Sequence, residues 1–306
     1  SVVLRALDAS RLPGLDSLFP RQPAIVDLMR GITAQTGKAG GLVLISGATG
    51  SGKSTTQYTL ACGFRRDAMN VITVEDPVEY LLPFARQIQL QALIKQKAIE
   101  LERSILRQDP DILIFGESRA ADSARAALAF AESGHLVIST IHANSVIQVP
   151  ERFLSLIDPQ HRSDSEFLLA HFLKLVIHQR LVRKLCQCAV ELTADELADL
   201  QFEMEKLTGG LMQAKPGFAR TCGCTRCEGT GYYNRVVAHE TLSVPSNEDM
   251  RNRFIHAFKD KELELPINLN RDNGVDYISR LNTLQTLLDE GIVDWPTARQ
   301  VLGLGS

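Results

Sequence analysis

Gly47-Ala48-Thr49-Gly50-Ser51-Gly52-Lys53-Ser54, preceded by the apolar run Leu42-Val43-Leu44-Ile45, is the stretch that decides the fold. The octet meets G-x-x-x-x-G-K-[ST] at every fixed position, and its flanks predict a strand before it and a helix over Ser54 to Phe64 after it. Glycines let the backbone wrap closely around phosphate. Successive N–H groups and the helix N-terminus supply positive partial charge. The expected ligand is ATP with Mg²⁺. Gly47, Thr49, Gly50, Ser51, Gly52 and Thr55 are the expected contacts, Lys53 reaches the β- and γ-phosphates, and the Ser54 hydroxyl ligates Mg²⁺.

Outward from the loop, short apolar runs alternate with helical patterns. A helix is predicted over Ala24 to Gln35. Val71 to Val74, Ile88 to Leu90, Ile112 to Phe115 and Leu136 to Thr140 read as strands, the buried ones continuous in apolar residues. Leu93 to Gln108 and Ala120 to Glu132 read as helices, the former stopped before Pro110. This alternation implies an α/β fold with a parallel sheet covered on both faces. After it, Phe167 to Leu185 reads as one long amphipathic helix and Thr193 to Leu207 as another. From Glu240 to Ser306 the pattern is helical. Val275 to Glu290 would end at a C′ glycine, Gly291, and Asp294 would cap a last helix through Val301 with Pro296 in its first turn. Val2-Val3-Leu4 reads as a strand.

Several strand ends carry acids or histidines. Asp111-Ile112-Leu113-Ile114-Phe115-Gly116-Glu117 ends in a carboxylate where such strands face the phosphates, so Glu117 is the expected general base or orienter of the attacking water. Glu75, Asp76 and Glu79 follow another strand; their mutual repulsion suits Mg²⁺ or bound water. His135 and His142 flank Leu136 to Thr140 and could sense the γ-phosphate.

Bulk properties narrow the class. The net charge is −3 and no basic run is present, which argues against a nucleic-acid partner. No apolar run is long enough for a transmembrane helix, and no signal peptide is visible, so a cytoplasmic protein is expected. Ser1 in place of an initiator Met suggests a fragment. Five of the six cysteines lie between Cys186 and Cys227. Cys186 and Cys188 with Cys224 and Cys227 could bind a structural Zn²⁺ through four thiolates, with Cys222 a competing ligand. Cys62 reads as a small core residue.

Taken in order, Gly47 to Thr55, Ile72 to Tyr80, Leu106 to Asp111, Gly134 to His142 and Gln179-Arg180-Leu181-Val182-Arg183 resemble the secretion ATPase superfamily, in its GspE and PilB branch. The matching blocks span about Val2 to Gly291. The resemblance implies a RecA-like domain over 26–183, a tetracysteine module over 184–240 and a C-terminal helical region over 241–306. Residues 1–25 would be the end of an N-terminal domain, most of which is missing. Glu75, Asp76 and Glu79 match the family's Asp box, Gly116 and Glu117 its Walker B element, and His135 and His142 its His box. The resemblance further implies a homo-hexamer with ATP held between domains, completed by arginines of the N-terminal domain. It implies peripheral association with the inner membrane through the cytoplasmic domain of a platform protein, and work on pilin or pseudopilin polymerisation in type IV pilus assembly or type II secretion. Pilus-retraction relatives generally lack the tetracysteine module. Two departures stand out: Arg119 is followed by Ala120 where the family usually has Arg-Asp, and Cys186-Gln187-Cys188 is C-x-C rather than C-x-x-C. The alternatives are a RecA-like nucleic-acid motor and an assembly scaffold that uses ATP only to set conformation.

Overall fold

The computed structural model describes residues 7–8, 10, 12–34, 40–64, 69–89, 104–105, 107–117, 121–244, 247–264 and 270–304. The expectations for Val2 to Leu4, Arg119 and Ala120, and most of Leu93 to Gln108, lie outside the described residues.

The apolar runs become strands. In chain order these are β1 (Leu7–Asp8), β2 (Gly41–Ser46), β3 (Val71–Glu75), β4 (Tyr80–Leu81), β5 (Arg86–Gln89), β6 (Ile112–Phe115), β7 (Leu136–Ile141), β8 (Leu173–Leu185), β9 (Val190–Glu191), β10 (Ala219–Arg220), β11 (Tyr232–Ser243) and β12 (Asp276–Ile278). Eight of them form one sheet in the order β12-β11-β8-β2-β7-β6-β3-β5. From β8 to β5 every neighbouring pair is parallel. Every residue of β2, β3, β6 and β7 is buried. Because side chains alternate across a strand, that pattern requires cover on both faces.

The chain forms two compact units. One comprises Asp27–His178 and Thr241–Tyr277 with the described residues of Ser1–Leu15; the other comprises Asp16–Val26, Gln179–Glu240 and Ile278–Ser306. This division differs from the expected boundaries, since 241–277 packs with the first unit and the last helices with the cysteine segment. In the first unit, Leu42, Leu44, Leu113, Phe115 and Val137 share a core with Ala124, Leu128 and Phe130 of the helix Ala121–Glu132, and with Leu169 and Phe254. Burying such side chains contributes about 1.5–3 kcal/mol each, and Phe130→Ala would cost about 3–5 kcal/mol. In the second unit, Val182, Met204, Phe218, Val236, Leu284, Leu287 and Trp295 form a separate core.

Several helices are set by their caps. Ala194–Thr208 starts with a capping box: Thr193 N donates to Glu196 at 2.8 Å, and Glu196 N donates back to the Thr193 hydroxyl at 3.3 Å. Asp294 accepts from Thr297 N at 3.2 Å and opens Trp295–Leu302, with Pro296 in the first turn as expected. The helix ending at Asp289 does reach a left-handed Gly291 at φ 60°, but it starts at Arg280 under a Ser279 cap rather than at Val275.

Two expected helical stretches are strands. Phe167 to Leu185 divides into the end of helix Arg162–Phe172 and all of β8, since Leu173 turns extended. Leu175 to Gln179 are buried without interruption, which suits a central strand and not an amphipathic helix. Likewise β11 runs through Glu240 to Ser243, where His239, Glu240 and Thr241 are polar yet buried. No described helix is long and apolar enough to cross a membrane.

Candidate functional site

All parallel strands of the first unit present their carboxyl ends at one edge, and the chemistry-bearing residues lie there. Gly47 follows β2, and helix Lys53–Gly63 opens directly out of the loop, with Gly52 at its N-cap. Gly50 at φ 77° and Gly52 at φ 85° hold left-handed conformations that disfavour a side chain. Ser51 N donates to Ala48 O at 3.1 Å, tightening the loop. The Lys53 ammonium donates to the carbonyls of Gly47 (2.9 Å) and Ala48 (3.1 Å), so it lies along the inner rim of the loop. The first-turn amides of this helix have no intrahelical acceptor and project from its end. Ser54 and Thr55 occupy that turn.

Beside the loop, His142 directly follows β7 and Glu117 lies two residues past β6. His142 Nε2 lies 3.2 Å from Glu117 Oε1, with the carboxylate the more buried partner. Two side chains secure the approach to Glu117. Gln57 donates to Phe115 O at 2.8 Å and to Ile138 O at 3.3 Å. Thr140 Oγ1 donates to Gly116 O at 2.6 Å.

The acidic turn after β3 has one buried member and two exposed ones. Glu75 is buried and fully engaged: Thr73 Oγ1 (2.5 Å) and Gln87 Nε2 (3.1 Å) donate to one oxygen, and the Tyr58 hydroxyl to the other. Such a carboxylate is a structural anchor rather than an open ligand. Asp76 and Glu79 are exposed beyond it, and Glu79 N donates to the Tyr58 oxygen at 3.2 Å. Burial, and then the Glu75 hydrogen bond, push the Tyr58 phenol above its ordinary value.

His135 does not join this edge. It precedes β7, and its carbonyl accepts from Gly41 N at the amino end of β2. Six-residue strands place it roughly 20 Å from the loop. Its Nδ1 lies 2.9 Å from Ser133 Oγ and 3.0 Å from Phe130 O, and its ring sits edge-on to Phe130. In this position the His135 ring packs against Phe130 and Ser133, away from the loop. Gln57, Tyr58 and Thr140 are the side chains that sequence reasoning missed; the visible signal was two bulky polar residues on the buried face of the helix after the loop.

In the second unit, Cys186, Cys188, Cys224 and Cys227 bring their sulfurs within 4.8 Å of one another. Sγ–Sγ distances of 3.8 Å recur for 186–224, 188–227 and 224–227. A regular tetrahedron of ~2.3 Å Zn–S bonds has edges of about 3.8 Å. The C-x-C pair follows β8, and Cys186 N donates to Gly231 O at 2.9 Å. The other pair brackets a 3₁₀ turn, Thr225–Cys227. Donation from Cys224 N, and from Gly231 N, holds the Cys227 thiol down at about 6. At Cys188 the Gly223 N–H also favours thiolate, but burial and three thiol neighbours push it up to about 12. Sulfurs this close cannot all lose their protons unless a cation offsets their charge, and the donor set fits Zn²⁺. Cys222 is exposed and outside the cluster.

Residues 1–279 match the protein family described as Type II/IV secretion system protein. Type II secretion system protein E of Klebsiella pneumoniae is 34% identical over 303 residues, 98% of this chain and 56% of that protein. The type IV pilus assembly ATPase PilB of Thermus thermophilus is 32% identical over 296 residues, 95% of this chain but 30% of that protein. The chain thus spans about half, or less, of the length of these relatives. Two solved structures share the fold at TM-score 0.61: the pilus retraction motor PilT with ADP (22% identity, 98% of this chain, 68% of that one) and the Legionella pneumophila ATPase DotB (19%, 98% and 67%).

Proposed function

Since this chain belongs to the Type II/IV secretion system protein family, in the branch of the type II secretion protein E and PilB relatives, we propose that it is the ATP-hydrolysing part of a motor for type II secretion or type IV pilus assembly. The observation that carries this reading is the Glu117–His142 pair, 3.2 Å apart, on the same sheet edge as the phosphate loop. A carboxylate so placed holds a water for attack on the terminal phosphate while His142 fixes its orientation. Lys53 exchanges the Gly47 and Ala48 carbonyls for the β- and γ-phosphates. Gly47, Thr49, Gly50, Ser51, Gly52 and Thr55 surround those phosphates with backbone and hydroxyl donors. The Ser54 hydroxyl would hold Mg²⁺, which would supply charge neutralisation for the bound phosphates. Asp76 and Glu79 act at the outer rim of the same site, on a turn anchored by Glu75. Zn²⁺, when bound by Cys186, Cys188, Cys224 and Cys227, holds their two loops together structurally, since four thiolates leave no open position.

The same reading extends to assembly. The working form is a homo-hexamer at the cytoplasmic face of the inner membrane, attached through the cytoplasmic domain of a platform protein, and its stroke adds pilin or pseudopilin subunits. The test is steady-state ATPase of the full-length protein. Lys53→Ala is expected to abolish turnover, and Glu117→Gln to lower kcat about 10²–10⁴-fold while nucleotide still binds. Full activity in Lys53→Ala would end the proposal. Tight, salt-sensitive DNA binding would favour a nucleic-acid motor instead, against the net charge of −3.

A further inference from the structure

Gln57 is a polar side chain in an apolar setting, 3% exposed, whose amide nitrogen donates to two main-chain carbonyls on two different strands. It sits four residues after Lys53 on the same helix, one turn along the same face. Its first acceptor, Phe115 O, opens the Phe115-Gly116-Glu117 segment; its second, Ile138 O, lies in β7, which ends at the residue before His142. The next carbonyl, Gly116 O, accepts from Thr140 Oγ1 at 2.6 Å. Both carbonyls that lead into Glu117 are therefore gripped by side chains, one from the phosphate-loop helix and one from the histidine strand. A buried amide that satisfies two carbonyls resists sliding, because any displacement strands groups that water cannot reach.

We infer that Gln57 is a positioning residue for hydrolysis: it fixes Lys53 and the Glu117–His142 pair at one spacing by tying their elements together. This rests on the hydrolytic reading above. Holding the phosphate is the loop's task, so the loss of Gln57 leaves affinity in place and loosens the water-orienting groups. Misplacement on the ångström scale lowers a chemical step steeply while barely altering binding.

The experiment compares the full-length protein with its Gln57→Met form, which keeps length and removes the donors. Expected are a kcat lowered on the order of 10- to 100-fold, a Kd for Mg-ATP within about twofold of the parent, and faster amide exchange over residues 115–117, read by mass spectrometry without nucleotide. Restoring the amide one methylene shorter, in Gln57→Asn, should give a smaller loss of kcat. An unchanged kcat and unchanged exchange in folded Gln57→Met would overturn the inference. So would kcat and Tm falling together with a rise in Kd, which marks general structural damage. If Gln57→Met does not fold, Gln57→Asn decides by the same three readouts. A parent that binds but never hydrolyses ATP refutes the hydrolytic reading, and with it the catalytic role assigned to Gln57, whereas a hydrolysing parent with an indifferent Gln57→Met refutes this inference alone.

Discussion

His142 Nε2 and Glu117 Oε1 stand 3.2 Å apart although their residues follow different strands, β7 and β6. Because those strands are hydrogen-bonded neighbours in register, Phe115 against Ser139, the contact is fixed by the sheet rather than by loop chance. His142→Gln keeps a donor near the carboxylate, and His142→Ala removes it. We expect His142→Ala to lower kcat by about 10- to 100-fold with little change in KM, and His142→Gln to recover part of that loss. Equal kcat in both variants and the parent would show that the carboxylate orients itself.

A second histidine predicts acid behaviour. His239 is 2% exposed, lies edge-on to Phe19 at 5.5 Å, and has no hydrogen-bond partner at Nδ1 among the described residues. Burial pushes its pKa down to about 3, against about 6.5 for an exposed imidazole. Between those values the unfolded chain takes up a proton that the folded one refuses. Stability therefore falls as pH drops from about 6.5 towards 3, by at most about 1.4 kcal/mol per pH unit from this residue. Urea unfolding at a series of pH values should show a shallower acid slope for His239→Leu than for the parent. Parallel slopes would mean that His239 accepts its proton in the folded state.

How far these features could be read from sequence depends on what each residue packs against. Leu42 to Ile45, Ile112 to Phe115 and Leu136 to Ile141 announce themselves because a strand buried on both faces needs continuous apolar side chains. The strand–loop–helix around Gly47 to Ser54 is legible because its glycines and flanking apolar run tie residue type to backbone geometry. β8 and β11 are not: His178, Gln179, His239, Glu240 and Thr241 are polar yet buried, so hydrophobic periodicity breaks down where the strands are most enclosed. His135 and His142 fall at opposite ends of β7, a separation that the flanking positions in sequence do not reveal. Gln57 and Thr140 stay hidden because their partners are carbonyls on strands distant in sequence, which carry no side-chain signature.

Tyr58 links the phosphate-loop helix to the acidic turn, donating to Glu75 and accepting from Glu79 N at 3.2 Å. Tyr58→Phe keeps the ring beside Tyr80, 5.1 Å between centroids, and strips both hydrogen bonds. The cost should be about 1–3 kcal/mol in unfolding free energy, since a buried carboxylate loses a donor. The pH dependence gives a second signature. The folded protein keeps the phenolic proton above about pH 10, where the unfolded chain releases it, so this residue's contribution is complete below about pH 10 and declines above it. Denaturation curves at neutral pH and above pH 10 test both points. A Tyr58→Phe protein as stable as the parent at neutral pH, with the same alkaline decline, would refute them.

The cysteine cluster makes a prediction in which one sulfur serves as the control. Cys222 is exposed and only two residues from Cys224, yet its sulfur is outside the set of four. Purified protein should hold about one zinc per chain, and Cys222→Ser should hold the same. Cys224→Ser should lose most of the metal, because three thiolates at this spacing leave an edge open to water. The structural consequence is confined to stability. Cys186 and Cys227 are buried, and stripping the ion leaves close sulfurs whose thiolate charge no cation offsets. Chelation should therefore lower Tm and make all the clustered thiols reactive, while Cys222 reacts before and after. Metal analysis that finds no zinc in the parent, or an equal loss in Cys222→Ser, would show that the tetrahedral sulfur spacing has another origin.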